Sequence, residues 1–437
     1  MLIGDVNDAF SPFDLPPAGC SYPHLFCRNF DGLPLISLLP DVESIRDTPR
    51  RETLLRLLQS CSEVSLALYT TEHFEYLLKE PGEANVAVVV PTYNIAGFVR
   101  ATLESIRRQT DPNITSLIVD DGSSDGTDAI ALEDLNAHSS VMSACLLQIP
   151  HVGWPSVSRN VALYNLVPKN AGYITFMDGD DLYADPNAIG ALKASLENHP
   201  RAFAAYGDYD WISESGAAMK PAGELVKKIT GGYAWKASRS LTWKNLALGN
   251  HGVLHFQTLM VRKGVPFIPY HYRGQDSSFY AHLFKRSAEL YEGQLTGIIQ
   301  VPSLVCHYRV RGKSISNDGV QDQSRVLETG GQKPVKGWQR PDGVKRYFDD
   351  MGIPECYLTD DTISLWLAKQ WVNEALRAMF RGNFPEGLAI IKASLRDVRV
   401  TKRHLIFRGL RDLATQLGHP RVLVETVKRA RSRLKGV

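Results

Sequence analysis

Three aspartates follow an apolar segment in the middle of the chain, and their spacing suits a divalent cation. Asp178, Asp180 and Asp181 come directly after residues 172–177, which are apolar and β-branched and predict a buried strand. Like charges this close disfavour ionisation unless a cation lies between them. An Asp-x-Asp pair offers the oxygen ligands that Mg²⁺ or Mn²⁺ prefers, with water and substrate phosphates completing the shell. The alternative is a polar turn with an Asp helix cap, since Asp-Gly is a common turn signal.

Two more polar turns follow apolar runs earlier in the chain, at residues 91–94 and 120–122. Between the turns, apolar residues recur at spacings of three and four, which predicts helices. The resulting order of strand, helix, strand, helix, strand, helix, strand indicates an α/β fold with a doubly wound, mostly parallel sheet. The ligand crevice of such a sheet lies at the carboxyl ends of its strands. We therefore expect the three turns to meet at one site.

Four short motifs follow one another between residues 85 and 181. They are Val-Pro-Thr-Tyr-Asn, Val-Asp-Asp-Gly-Ser-Ser-Asp-Gly-Thr, Gly-x-x-x-x-Ser-Arg-Asn and Met-Asp-Gly-Asp-Asp. Each motif is weak alone, but the ordered set resembles the family 2 glycosyltransferases of GT-A fold. With similar segments downstream, the resemblance extends over residues 85–317. It implies a GT-A type sheet and an inverting, metal-assisted transfer of a sugar from a nucleotide diphosphate, expected to be a UDP-sugar, to a hydroxyl of a glycan or lipid-linked acceptor.

The resemblance assigns binding roles to individual residues. Tyr93 would stack on the nucleotide base, and Asp121 would accept a hydrogen bond from the base, a contact typical of uridine nucleotides. Arg159 matches a basic position near the diphosphate and sugar. Asp120 and Asp121 could also cap the following helix while Gly122 forms the turn, and the two roles are compatible. The residues expected to bind the nucleotide sugar are Pro91, Thr92, Tyr93, Asn94, Asp120, Asp121, Gly122, Arg159, Asp178 and Gly179.

The resemblance also assigns the metal ligands and the catalytic base. Asp178 and Asp180 match the motif that binds Mn²⁺ or Mg²⁺, with Asp180 the better candidate for direct ligation. Asp276 matches the base, which must take the proton of an acceptor hydroxyl held behind the anomeric carbon. On the opposite face, the departing diphosphate gains negative charge that a metal stabilises. The alternative for Asp276 is a solvated N-cap before residues 277–285, worth about 1 kcal/mol.

Two positions depart from the family pattern. Gln275 stands where the family commonly has Glu, and Arg311 stands where it often has His. A guanidinium cannot ligate a cation, so Arg311 could serve only the phosphate. These departures keep open a catalytically degenerate relative that binds nucleotide or glycan as a scaffold. A nucleotidyltransferase is the nearest alternative enzyme, but it would normally carry a Gly-rich, Lys-containing loop after the first strand, and residues 91–94 are not such a loop.

Composition is ordinary for a globular protein: 437 residues, of which 44% are hydrophobic and 22% are charged. The six cysteines show neither zinc nor Cys-x-x-Cys spacing, and we interpret them as reduced thiols. The first residues lack the features of a signal peptide, and no apolar run reaches about 18 residues. We therefore expect a cytoplasmic protein. Its expected parts are an N-terminal accessory segment (1–84), a GT-A domain (85–318), a linker (319–343) and a C-terminal helical, basic region (344–437).

The end of the chain is strongly basic. Residues 396–437 contain twelve Lys or Arg and three Asp or Glu, whereas the whole chain has a net charge of only +2. A basic amphipathic helix can lie on anionic lipid, with each basic side chain adding about 1 kcal/mol. The alternatives are a solvated basic face and a contact with acidic protein surface. Peripheral contact with the inner face of a membrane is thus one option, and nucleic acid is not an expected partner, because no recognised binding module is present.

Overall fold

The computed structural model describes the chain in segments. The longer ones are residues 48–60, 65–69, 85–138, 143–168, 171–219, 254–262, 298–311, 358–380 and 383–406, with isolated residues and short stretches elsewhere. The chain divides into two compact units, one of Met1–Met219 with Val253–Gln332 and one of Lys220–Gly252 with Lys333–Val437. The four-part division expected from the sequence stays a prediction. Among the described residues, no helix combines the length and apolarity needed to cross a membrane.

The first unit is built on a ten-stranded sheet of described residues. Its strands are β1 (Ser65–Tyr69), β2 (Asn85–Thr92), β3 (Ile114–Asp121), β4 (Ser143–Ile149), β5 (Ala171–Phe176), β6 (Leu182–Tyr183), β7 (Ala204–Ile212), β8 (Ala218–Met219), β9 (Leu259–Arg262) and β10 (Ile298–Arg309). Across the sheet the order is β1-β4-β3-β2-β5-β9-β7-β10-β6, and β8 pairs with β7.

Most of these strands run in one direction. β4, β3, β2 and β5 are parallel neighbours. β9 is antiparallel to both β5 and β7, so β7 and its parallel neighbour β10 run the same way as β5. The predicted α/β fold with a mostly parallel sheet is therefore confirmed. The sheet is also mixed, because β1, β6, β8 and β9 run in the opposite direction.

Helices alternate with the parallel strands, as the apolar spacing predicts. The described α-helices of this unit are α1 (Thr48–Ser60), α2 (Val99–Arg107), α3 (Thr127–Ala137), α4 (Pro155–Val161), which continues as a π-helical turn over Ala162–Leu166, and α5 (Ala188–Asn198); Leu35–Leu38 and Phe256–Thr258 form short 3-10 helices. Helix α2 buries Val99, Leu103 and Ile106, which share one face. These side chains pack with Val88 and Ile118 of the central strands. Each such burial contributes about 1.5–3 kcal/mol and fixes the helices against the sheet.

The second unit contains two described helices of at least ten residues, α6 (Asp360–Phe380) and α7 (Phe384–Ser394). Helix α6 buries Trp366, Leu367, Trp371 and Ala375. Helix α7 begins at the N-cap Asn383, whose side-chain oxygen accepts a hydrogen bond from the backbone N–H of Glu386. The apolar residues of α7 are, by contrast, mostly exposed.

Candidate functional site

The turns that follow β2 and β3 are joined by hydrogen bonds. The Thr92 hydroxyl donates to Asp120 Oδ1 over 2.8 Å. The backbone N–H of Asn94 donates to the Ser123 hydroxyl, and the Asn94 side-chain oxygen accepts from the Ser124 N–H, each over 2.9 Å. Asn94 has a φ of 48°, a left-handed conformation that Asn tolerates better than most residues. These bonds fix the end of β2 against the end of β3.

The two adjacent aspartates at the end of β3 have different partners. Asp120 is fully buried and also accepts hydrogen bonds from the backbone N–H and hydroxyl of Ser123. Asp121 accepts hydrogen bonds from the backbone N–H groups of Val152 and Gly153, each over 2.8 Å. Asp120 thus stabilises its own turn, whereas Asp121 holds the loop that follows β4. A carboxylate has about four lone-pair positions, so Asp121 keeps capacity for a further donor.

Gly122 lets the loop after β4 approach the end of β3. Its φ is +63°, and a Cβ atom there would lie 2.6 Å from the backbone nitrogen of His151. The predicted turn at Gly122 is therefore present, and only a residue without a side chain fits this approach.

His151 belongs to the site although the sequence motifs did not identify it. Its ring stacks on Tyr93, with centroids 4.1 Å apart and planes inclined by 12°. Its Nδ1 lies 3.2 Å from Asp121 Oδ2, and the hydrogen bond with the Asp121 side chain raises the pKa of His151, while partial burial opposes this. Tyr93 remains 42% exposed. The one available signal was the position of His151 directly after an apolar strand, since such positions reach the ligand edge of the sheet.

Arg159 connects helix α4 with the turn that follows β5. This buried side chain donates through Nη2 to Asp178 Oδ1, and its guanidinium lies 4.5 Å from the ring centroid of Phe256. Gln257, a second residue that the motifs missed, donates to the other oxygen of Asp178. Within the described part of the chain, Arg159 Nε and Nη1 are buried and have no hydrogen-bond acceptor. An anion brought to this point would satisfy them.

Asp180 and Asp181 contact the end of strand β10. Asp180 forms an ion pair with Arg311. Asp181 Oδ1 accepts a hydrogen bond of 2.6 Å from the backbone N–H of Arg309, whose side chain donates to the Asp180 carbonyl over 2.7 Å. Burial raises the pKa of Asp180, Arg311 lowers it, and the neighbouring Asp178 carboxylate raises it further. Burial also raises the pKa of Asp181 well above its usual range, and repulsion from Asp180 and Asp178 adds to the effect.

Gly179 packs the turn of residues 178–181, here called the acidic turn, onto the end of β2. A Cβ atom at this position would meet Ile95 and would lie 2.8 Å from Thr92 Cγ2 and 3.1 Å from the Pro91 carbonyl oxygen. The Thr102 hydroxyl of α2 contacts the carbonyl of Gly179 at 2.8 Å from the other side. The predicted site residues from Pro91 to Asp180 are thereby linked in one continuous set of contacts. Asp276, the predicted base, and Gln275 lie outside the described residues.

The carboxylates of the acidic turn can bind a divalent cation only if a phosphate group supplies further oxygen ligands. Among the described residues, no three His, Cys, Asp or Glu side chains are grouped as a metal site. Mg²⁺ is commonly bound by one or two carboxylates with substrate phosphates and water supplying the remaining ligands. Asp178 and Asp180 meet that requirement, and their mutual repulsion favours a cation between them. Both carboxylates are also paired with an arginine, so the cation has competitors.

Comparison with known proteins identifies the family. Residues 87–265 match the sequence model of the family described as Glycosyl transferase family 2. This part of the chain is a family 2 glycosyltransferase domain. The resemblance predicted from the motifs is therefore confirmed.

Individual relatives match parts of this chain. Glycosyltransferase GlyA of Streptococcus pneumoniae is 30% identical over 130 residues, which are 30% of this chain and 17% of GlyA. The Escherichia coli UDP-Glc:alpha-D-GlcNAc-diphosphoundecaprenol beta-1,3-glucosyltransferase WfgD is 27% identical over 183 residues, 42% of this chain and 64% of WfgD. The structure of Staphylococcus aureus TarS 1-349 with UDP-GlcNAc superposes with a TM-score of 0.47 and 15% identity, covering 80% of this chain and 92% of that one.

Proposed function

We propose that this protein is a glycosyltransferase that moves a sugar from a UDP-sugar to a hydroxyl group of a glycan or lipid-linked acceptor. The observation that carries the proposal is the linkage of the polar turns after β2, β3, β4 and β5 at one edge of the sheet, within the family 2 domain. The relative WfgD, named for a UDP-glucose donor and a diphosphoundecaprenol-linked acceptor, supports both substrate classes.

The donor base is assigned to the stacked pair of Tyr93 and His151. The exposed Tyr93 ring offers a flat surface, and stacking of a base on an aromatic side chain contributes about 1–3 kcal/mol. Asp121 lies beside this pair and is the expected acceptor for a donor group of uracil. The diphosphate is assigned to Arg159, whose buried Nε and Nη1 atoms favour an anion.

Catalysis is assigned to the acidic turn and to Asp276. Asp178 and Asp180 would hold Mn²⁺ or Mg²⁺, which as a Lewis acid stabilises the negative charge of a departing diphosphate. Arg159 holds the diphosphate from the side of helix α4. Asp276 takes the proton of the acceptor hydroxyl as that oxygen attacks the anomeric carbon, so that the sugar is transferred with inversion.

The decisive experiment compares the purified protein with its Asp276→Asn variant. Given Mn²⁺, a panel of UDP-sugars and candidate acceptors, the unaltered protein should release UDP. Asp276→Asn should lower kcat by about 10²–10⁴-fold, the usual contribution of a general base, and should leave the Kd for UDP unchanged. Glu133→Gln, which alters a side chain that is 71% exposed, serves as the control and should keep full activity.

Two results would contradict this proposal. Retained turnover in Asp276→Asn would remove Asp276 as the base. UDP binding without transfer to any acceptor would instead favour the catalytically degenerate scaffold.

For the second unit we infer contact with an anionic membrane surface. Helix α7 and its C-cap Leu395 expose an apolar stripe, defined as Phe384, Leu388, Ile391 and Leu395. The spacings of four, three and four place these residues on one side of the helix. Exposed apolar patches commonly mark contact surfaces. Basic residues lie close to the stripe in the sequence and would attract anionic lipid; they are Lys392, Arg396, Lys402 and Arg403.

Vesicle sedimentation tests this contact. The protein should bind phosphatidylglycerol vesicles more tightly than phosphatidylcholine vesicles, and added salt should weaken the binding. The double variant Leu388→Ser, Ile391→Ser should bind at least tenfold more weakly, whereas Met219→Ser, which alters an exposed apolar residue of the first unit, should bind normally. Equal binding of the double variant, or loss of a dimer in that variant without any lipid binding, would refute the membrane contact.

A further inference from the structure

The residue expected to ligate the metal directly already has a cationic partner. Asp180 pairs with Arg311, and both side chains are largely shielded, at 16% and 17% exposure. A guanidinium cannot ligate a cation, so Arg311 competes with any cation for the Asp180 carboxylate.

Two carboxylates of the acidic turn already have cationic partners. The guanidinium groups of Arg159 and Arg311 pair with Asp178 and Asp180, whereas Asp181 accepts a hydrogen bond from the backbone N–H of Arg309. A divalent cation added to this arrangement would meet the Arg311 guanidinium at the Asp180 carboxylate and would be repelled by it. The Arg311–Asp180 pair therefore opposes metal binding at Asp180.

The end of strand β10 is anchored by Arg309, independently of the Arg311–Asp180 pair. Two residues earlier, Arg309 anchors β10 through its backbone N–H to Asp181 and through its side chain to the carbonyls of Asp180 and Glu214. The guanidinium of Arg311 rests 5.3 Å from the ring centroid of Phe98. Asp178 is held differently, because Arg159 and Gln257 occupy its two oxygens from two separate elements.

We propose that Arg311 holds the cation position at Asp180 in the donor-free protein and transfers to the diphosphate when the donor binds. A diphosphate offers a guanidinium charged, bidentate acceptors, so it can draw Arg311 from the carboxylate. Asp180 is then free to bind the divalent cation that bridges it to the same diphosphate. Metal thus enters with the nucleotide and not before it. This inference rests on the proposed function.

Mn²⁺ binding to the full-length protein, followed by electron paramagnetic resonance, tests the proposal with and without UDP. In the unaltered protein, UDP should tighten Mn²⁺ binding at least tenfold. Arg311→Gln should bind Mn²⁺ alone at least tenfold more tightly than the unaltered protein does, and should gain much less from UDP. Arg311→Lys keeps the positive charge and should keep the weak binding of Mn²⁺ alone.

Arg100→Gln is the matched control, because it removes an exposed arginine that pairs with Glu133 away from the acidic turn. It should leave both Mn²⁺ affinities unchanged. Equal affinity for Mn²⁺ alone in Arg311→Gln and the unaltered protein, with UDP binding intact in both, would overturn the inference but not the proposed function. Absence of UDP binding from the unaltered protein at any Mn²⁺ concentration would overturn the proposed function, and the inference with it.

Discussion

His151 shows how a single side chain can connect three turns of the site. Its ring covers one face of Tyr93, its Nδ1 contacts Asp121, and its backbone passes close to Gly122. The neutral ring and the protonated ring do not bind Asp121 equally well, because only the protonated ring adds a charge to the hydrogen bond. The rigidity of this corner, which is the proposed site of the donor base, should therefore depend on pH.

The variant His151→Asn tests that dependence. Since the folded-state pKa of His151 is raised, the pair contributes stability fully below the ordinary value of about 6.5 and loses that contribution as pH rises through the raised pKa. His151→Asn should lower the free energy of unfolding most at about pH 5.5, by less than about 1 kcal/mol because the ring is partly exposed, and least at high pH. Urea unfolding at several pH values measures this, and a difference that does not vary with pH would contradict it.

The sequence could predict site residues only where a strand end or a motif marked them. Tyr93, Asp121 and Asp178 each follow an apolar run, so the strand rule places them at the ligand edge. Gln257 and Arg311 reach Asp178 and Asp180 from more than 70 positions along the chain. No local pattern encodes such a contact, which depends on how β9 and β10 pair in the finished sheet.

Three neighbouring elements position the acidic turn after β5. The Pro91 carbonyl at the end of β2 accepts a hydrogen bond from the Gly179 N–H, and the Thr102 hydroxyl of helix α2 donates to the Gly179 carbonyl. The backbone N–H of Arg309 in β10 donates to Asp181. The turn is therefore packed against the edge of the sheet. Substitution of an uncharged residue in the turn can displace its carboxylates.

Gly179→Ala tests this packing. The new methyl group would press on Ile95 and Thr92, so we expect a loss of about 1–3 kcal/mol in the free energy of unfolding, the usual cost of overpacking. UDP affinity should fall as well, because Asp178 and Asp180 move with the turn. Gly97→Ala is the control, since a Cβ atom there meets nothing within 4 Å. Similar behaviour of the two variants in urea unfolding and UDP titration would show that the turn tolerates the group.

For the whole molecule, the parallel half of the sheet could be predicted and the other half could not. Strands β2 to β5 alternate with helices in sequence, and local periodicity together with the crossover rule is enough to place them. Strand β9, at Leu259–Arg262, lies between β5 and β7 although it follows both in the chain. Its place is decided by pairing over a long sequence separation, on which periodicity carries no information.

The two units should respond to different ligands, and hydrogen exchange can read both responses in one protein. UDP, added with Mn²⁺ at about 100 times the Kd of UDP, stabilises the binding-competent state by about 2.7 kcal/mol. Amides that open only when the site opens should therefore exchange about a hundredfold more slowly. Those amides should lie in residues 91–98, 120–126, 151–159 and 178–182, where the turns are joined.

Helix α7 is the internal control in that experiment, since its exposed stripe has no part in the proposed donor site. Phosphatidylglycerol vesicles should reverse the pattern, slowing exchange along Phe384–Ser394 and leaving the turns unchanged. Slower exchange at α7 with UDP alone would place part of the donor site in the second unit. Slower exchange of the turns with vesicles alone would mean that the edge of the sheet, and not α7, contacts the lipid surface.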